Sequence, residues 1–346
     1  MLTSLQKKQN ARFSRRAFYK QLARFHLSRR VKRVLKDSGN KKVRTESSEA
    51  IWATNIRYLN DVLERRHFLS LIHNHLGLSS PNALNDELLG LLSDEIANNS
   101  KSFIDLPFVA SFSGDRDYLP QWRSYCPQGN GVCIGFRTDS LLNAFVDDQP
   151  GTLTSDMLHM PPSVSFEAVR YLRADDIDAV NELFQQAVIE GKKGQAAVHD
   201  QGFTAEITGM TEADFVWTVL SERASRIKHA SFASEKEYRL TVITTSGFDD
   251  RFRTSRSTLI SFRTSRSTLI PYIAVKVPDP ADFLSATQNL CRIPDQPPFH
   301  KPSFIDSVTI GPTPELNLSE DALHGFFAQG KLGVLVHKST VPFRDL

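Results

Sequence analysis

The 346-residue sequence predicts an α+β fold, a single domain in which helices surround a mixed central sheet. Three observations predict it. Short runs such as FVASF (108–112) and EYRLTVI (237–243) alternate with the two-residue period of half-buried strands. Longer runs such as 82–101 carry apolar residues at three- and four-residue spacing, the helical period. The two kinds interleave along the chain, and a composition 40% hydrophobic and 23% charged is that of a globular protein.

Charge divides the chain. Residues 1–44 hold 15 of the 42 Lys and Arg but a single acid, Asp37, and the remainder holds 27 basic against 38 acidic residues. The basic head is read as a flexible or helical extension ahead of a domain spanning 45–346, with Phe18, Leu22, Phe25, Val31 and Leu35 roughly helix-spaced. Its partner, if it has one, is nucleic acid or another anionic surface. No apolar run reaches membrane-spanning length. Cys126, Cys133 and Cys291 form no CxxC pair, which suits a reducing cytoplasm.

Taken in order, AIWATNI (50–56) reads as a strand, RYLND as a turn and 61–77 as a helix. Asp61 and Glu64 have capping-box spacing, Leu69, Ile72 and Leu76 share a face, and Gly77 is the stop. The helix over 82–101 buries Leu84, Leu88, Leu91, Leu92 and Ile96. In 108–113, Val109, Ser111 and Ser113 face one way, and Phe108, Ala110 and Phe112 the other. A polar turn, QWRSY, a Gly129-Asn130-Gly131 turn and the strand VCIGF follow. Then come a strand in SFEAVRYL, helices over 175–193 and 211–229, and the strand EKEYRLTVI. FRTSRSTLIS (252–261) is repeated at once as FRTSRSTLIP (262–271). Two near-identical copies are too few and too alike for a solenoid. One copy is expected to be the strand leading into PYIAVKVP, the other an inserted loop or strand extension, strained or poorly ordered. The chain closes as β-α-β over SFIDSVTI, LSEDALHGFFAQ and KLGVLVHK.

No GxGxxG after a strand, GxxxxGK[ST], HExxH or GxSxG occurs. The segment 108–136 is the expected floor of a pocket, with Ser111, Ser113, Gln121, Trp122, Arg123 and Tyr125 between two apolar strands. Arg57, Arg123 and Arg239 each have an aromatic neighbour, Tyr58, Trp122 and Tyr238. Converging, they would make a nucleotide or phosphate site with stacking walls; separately, each would pair with Asp61, Asp115 or Glu237. Asn55 and Asp61 are ligand-binding candidates and equally turn and cap residues. The QWR turn is expected to meet residues 55–61 and 235–239.

WATNIRYLNDVLE, FVASFSGDRDYLPQWRSY with GNGVCIGF, EKEYRL, FRTSRSTLIPYI, and IGPTPE with STVPFR occur in that order over 51–344. Together they resemble the bacterial domain-of-unknown-function family 2971. The family's aromatic-His-aromatic-Thr opening is degraded or missing here, RFHLS (24–28) being its nearest counterpart, and FRTSRSTLI appears twice where the family has it once.

The resemblance implies a bacterial cytoplasmic protein. Its opening strand, glycine- and serine-bearing core and late Glu-x-Glu are similar to ADP-ribosyltransferase-like folds, which implies NAD as ligand and ADP-ribosyl transfer or NAD hydrolysis as activity. His26 would then hold the ribose, Trp52 or Tyr58 would stack on nicotinamide, and Glu237 with Glu235 would stabilise the oxocarbenium-like state. The alternatives are an ion pair of these glutamates with Arg239 or Arg123, and a non-catalytic ligand- or nucleic-acid-binding module of regulatory or defence type.

Overall fold

The protein is described from a computed structural model. It covers residues 17–23, 50–59, 63–99, 106–126, 131–146, 162–200, 202, 204–205, 209–244, 260–265, 268–278, 304–330 and 332–342.

Twelve strands are found among these residues. They are β1 (Ala17–Ala23), β2 (Ala50–Asn55), β3 (Phe108–Ser113), β4 (Gly131–Arg137), β5 (Ser163–Ala168) and β6 (Arg170–Leu172). β7 (Ile227–His229), β8 (Glu237–Ile243), β9 (Ile260–Ser265), β10 (Thr268–Lys276), β11 (Ile305–Ile310) and β12 (Leu335–Lys338) complete them. The helices are α1 (Leu63–Gly77), α2 (Ala83–Asn98), α3 (Leu119–Tyr125), α4 (Thr138–Leu142), α5 (Ile177–Asp200), α6 (Glu212–Ala224) and α7 (Leu316–Gly330). The order β12-β11-β4-β1-β3-β2-β10-β9 runs across the main sheet, with β8 also on β3 and β5 on β8. It is mixed: β11 and β12 are parallel, the closing β-α-β, and the other pairs in it are antiparallel. The fold is the α+β domain that the interleaved periods predict.

β3 is where the sheet forks. One side of it pairs with β8 along its whole length. The other side is shared: β2 pairs at Thr54↔Val109 and Asn55↔Phe108, and β1 only at Tyr19↔Ser113. β1 and β2 thus lead into separate wings, and Ser111, in the strand they leave, is exposed.

The two faces of the sheet differ in chemistry. Phe108, Ala110, Phe112, Leu240, Val242, Ile134, Phe136, Ile273 and Val275 pack on one side with Leu141 of α4 and Phe327 of α7. Burial of this apolar area is the principal driving force for the fold. A second core lies among α1, α2, α5 and α6, where Leu69, Ile72, Leu88, Leu92, Val216 and Leu220 are buried. The predicted faces of 61–77 and 82–101 supply it.

Gly191 lets α5 and α6 touch backbone to side chain. A Cβ there would stand 2.7 Å from Val216 Cγ2 and 2.8 Å from its backbone nitrogen. Gly191→Ala is expected to cost about 1–3 kcal/mol by overpacking, read as a lower melting temperature. Gly90→Ala is the contrast: nothing lies within 4 Å, and the exposed α2 position should gain roughly 0.5–1 kcal/mol from the better helix former.

Three expectations are corrected. Within the basic head, Ala17–Ala23 form not a helix but β1, paired with β4 at all seven positions. AFYKQLA is not strictly periodic in either sense, and an available strand neighbour outweighs weak helical spacing. The helix expected over 211–229 stops at Ala224, because Ile227–His229 pair in parallel with β6. The second copy of the repeat is a hairpin, FRTS in β9 and TLIP opening β10, and not one strand. Of the first copy, Ile260 and Ser261 extend β9; its other residues, with His26 and Asp61, lie outside the described ones. No helix among the described residues is long and apolar enough to cross a membrane.

Candidate functional site

The register of β8 on β3 puts Glu237, Arg239 and Thr241 on the polar side of the sheet, opposite Ser113, Ser111 and Val109. α1 and β7 close over this side, and Glu64 in the first turn of α1 reaches Arg239. The Arg239 Nη2–Glu64 Oε2 and Nε–Glu237 Oε1 distances are both 2.7 Å, and Nη1 donates to the Ser225 carbonyl at 2.5 Å. Lys228 Nζ lies 2.5 Å from Glu64 Oε1, 2.7 Å from Glu237 Oε2 and 2.8 Å from Glu235 Oε2. Three carboxylates and two cations therefore form one cluster. Glu64, Lys228, Glu237 and Arg239 are buried, and the Glu235 side chain keeps 29% exposure.

Burial alone would push the Glu237 carboxyl up, but Arg239 and Lys228 outweigh it and hold the group below the usual carboxylate range. The Tyr171 hydroxyl accepts from the Glu237 amide at 2.8 Å, and burial beside Glu237 and Glu235 pushes it up to about 12. Tyr125, on α3, is raised by burial and by the same two carboxylates. Ser113 Oγ donates to the Glu235 carbonyl at 3.0 Å and accepts from the Asp115 amide, fastening β3 to the turn before β8.

The other predicted residues divide among three places. Trp52, 42% exposed, lies 4.7 Å from the Tyr272 ring, centroid to centroid. The Arg263 guanidinium stands 6.0 Å over the Trp52 ring, with Nη2 donating to Thr54 Oγ1 at 2.9 Å and Nε buried without an acceptor. Since Thr54 pairs with Val109, Trp52 comes level with Ser111 where the strands part, on the same side as Arg239.

Asn55 is buried and accepts from the Arg57 amide at 3.1 Å, so it caps the short turn Ile56–Tyr58, where Tyr58 is half-buried. Arg57 pairs with Glu95 of α2 at 3.3 Å and donates to the Asn99 carbonyl.

Trp122 is buried in the opposite wing against Cys126 and Cys133, and its Nε1 donates to Asp117 at 2.8 Å. A Cβ on Gly311 would stand 2.9 Å from that ring. Gln121 is half-buried and Arg123 exposed on the same helix. Burial pushes the Cys126 thiol up to about 11 and raises Cys133 as well, which suits inert structural thiols.

The pocket expected to gather Trp52, Trp122, Arg123 and Glu237 is therefore not assembled. Trp122 is packed on all sides and cannot stack on a ligand. Arg57, Arg123 and Arg239 do not converge, because Glu95 takes the first, and Glu64 and Glu237 the last. Only Tyr125 of the 121–125 segment comes to the glutamates. The ion-pair reading of Glu235 and Glu237 is the one observed, with Arg239 and Lys228 as partners.

Sequence reasoning missed Glu64, Lys228 and Tyr171. Glu64 was accounted for as a capping residue and Lys228 lay within an expected helix. The available signal was IKH beside RYL, two short alternating segments able to pair.

Residues 121–240 match the model of a family described as "Protein of unknown function (DUF2971)". The family indicated by the ordered motifs is thus found over the segment from α3 to β8. No curated protein and no solved structure matches the chain.

Proposed function

We propose that this chain, with its DUF2971 segment over 121–240, binds a nucleotide on the polar side of the forked sheet and does not cleave it. The observation that carries this reading is the exposed Trp52 beside the half-buried Tyr272, with Arg263 above it, level with the exposed Ser111. An aromatic base can stack on the Trp52 ring, a phosphate can pair with the Arg263 guanidinium, and a ribose hydroxyl can reach Ser111. Glu237 does not suit the part of a transition-state carboxylate. It is buried, and Arg239 and Lys228 occupy its oxygens.

The test is titration with NAD and with ADP. Trp122 and Trp217 are buried at 2% and 6% exposure, so quenching of tryptophan fluorescence reports Trp52. Trp52→Ala, which lacks that reporter and is titrated by calorimetry, should bind roughly tenfold or more weakly, since stacking on one aromatic is worth about 1–3 kcal/mol. Unchanged affinity in that variant, or no binding by the wild type, would defeat the proposal.

One observation favours NAD cleavage as a second reading. Glu235 keeps an exposed edge beside Tyr125. Nicotinamide release by the wild type that disappears in Glu235→Gln would move the assignment there.

A further inference from the structure

We propose an oxyanion site at the N-terminal end of α1, built from Arg65 and Arg66 with Arg57 beside them. It does not rest on the fork reading. Glu64, Arg65 and Arg66 open α1, and successive helix positions point about 100° apart. Glu64 turns to the sheet, while Arg65 turns to α2 and pairs through Nη1 with Glu95.

The Arg65 side chain is 6% exposed, yet its Nε and Nη2 have no acceptor. Arg66 Nε is buried in the same condition, and Arg66 has no ion pair among the described residues. Arg57 brings a further guanidinium onto the same Glu95 carboxylate. Burial lowers the Arg65 pKa most; Arg57 and Arg66 lower it further against the pull of Glu95.

A buried guanidinium with its Nε and Nη2 donors unmet, crowded by two others, is an unfavourable arrangement that persists where an anion completes it. The positive end of the dipole of a fifteen-residue helix lies at the same end. Planar forked donors in this number match the oxygens of phosphate, whether inorganic or borne as a monoester, better than a lone carboxylate.

The test uses the full chain and inorganic phosphate, followed by calorimetric titration and thermal denaturation against chloride at equal ionic strength. Saturable binding and a raised melting temperature are expected. Arg66→Gln removes no observed ion pair, so it should fold as wild type and bind phosphate about tenfold or more weakly. Arg65→Lys, which keeps a cation on Glu95 without the fork, should weaken binding likewise. Trp52→Ala should bind phosphate normally, so failure of the fork reading leaves this site standing. Stabilisation no greater than chloride gives, wild-type binding by Arg66→Gln, or loss of phosphate binding in Trp52→Ala would each overturn the assignment.

Discussion

Replacing Arg239 by methionine is expected to lower the unfolding free energy by about 3–5 kcal/mol. Arg239 is 1% exposed and is tied at Nη2, Nε and Nη1 to Glu64, Glu237 and the Ser225 carbonyl. Methionine fills much of the volume but leaves two buried carboxylates with Lys228 as their remaining cation. The large cost comes from those stranded charges and not from the net worth of the pair, which desolvation makes small. At roughly 2–4 °C per kcal/mol for a chain of this size, the melting temperature should fall by on the order of 10 °C. The urea midpoint should fall with its slope unchanged. A loss below about 1 kcal/mol would mean that the cluster relaxes around the gap or takes in water.

Asp117→Ala is expected to cost about 2–3 kcal/mol. Its carboxylate accepts from Trp122 Nε1 at 2.8 Å, Ser339 Oγ at 2.5 Å, and the Thr340 amide and hydroxyl at 2.7 and 2.8 Å. Without it the buried indole N–H is unpaired, and the segment after β12 loses its attachment to the turn before α3. Faster amide exchange at Thr340, together with a lower melting temperature, checks both parts.

The same carboxylate sets a pH dependence. Burial opposes its ionised form, but the Ser339, Thr340 and Trp122 donors prevail and lower its pKa, as the cations lower that of Glu237. A depressed folded pKa contributes stability above the unfolded value, about 4, and loses it as pH falls through the folded value. The Asp117 share of the stability should be constant from neutrality to about pH 5 and be lost below about pH 4, so the acid decline is less steep in Asp117→Ala.

Local patterning made much of this fold legible. β3 and β8 follow their alternation, and α1 and α2 bury the leucines their spacing selects. Long-range partners were not legible. Nothing near Glu64 or Lys228 in the chain announces that α1 and β7 meet over β8, and the 163 intervening residues carry no trace of it. Arg65 and Arg66 lie in a helix whose spacing marks only its apolar face, and α2 buries one of them. Trp122 was conspicuous beside two polar residues, yet conspicuous aromatics are as often pillars as platforms. Only its packing against Gly311 and Cys133 decides which. β1 was hidden because AFYKQLA has no two-residue alternation and sits inside a block of positive charge.

The tandem repeat reaches into the core. Ile260, the ninth residue of the first copy, is buried opposite Ile273 and belongs to the main core. Excising 252–261 would bring Asp250 into that place and Arg251 into the place of Ser261. A charged residue would then stand where an apolar one is buried, so the repeat is not a dispensable insertion that can be trimmed without loss of stability.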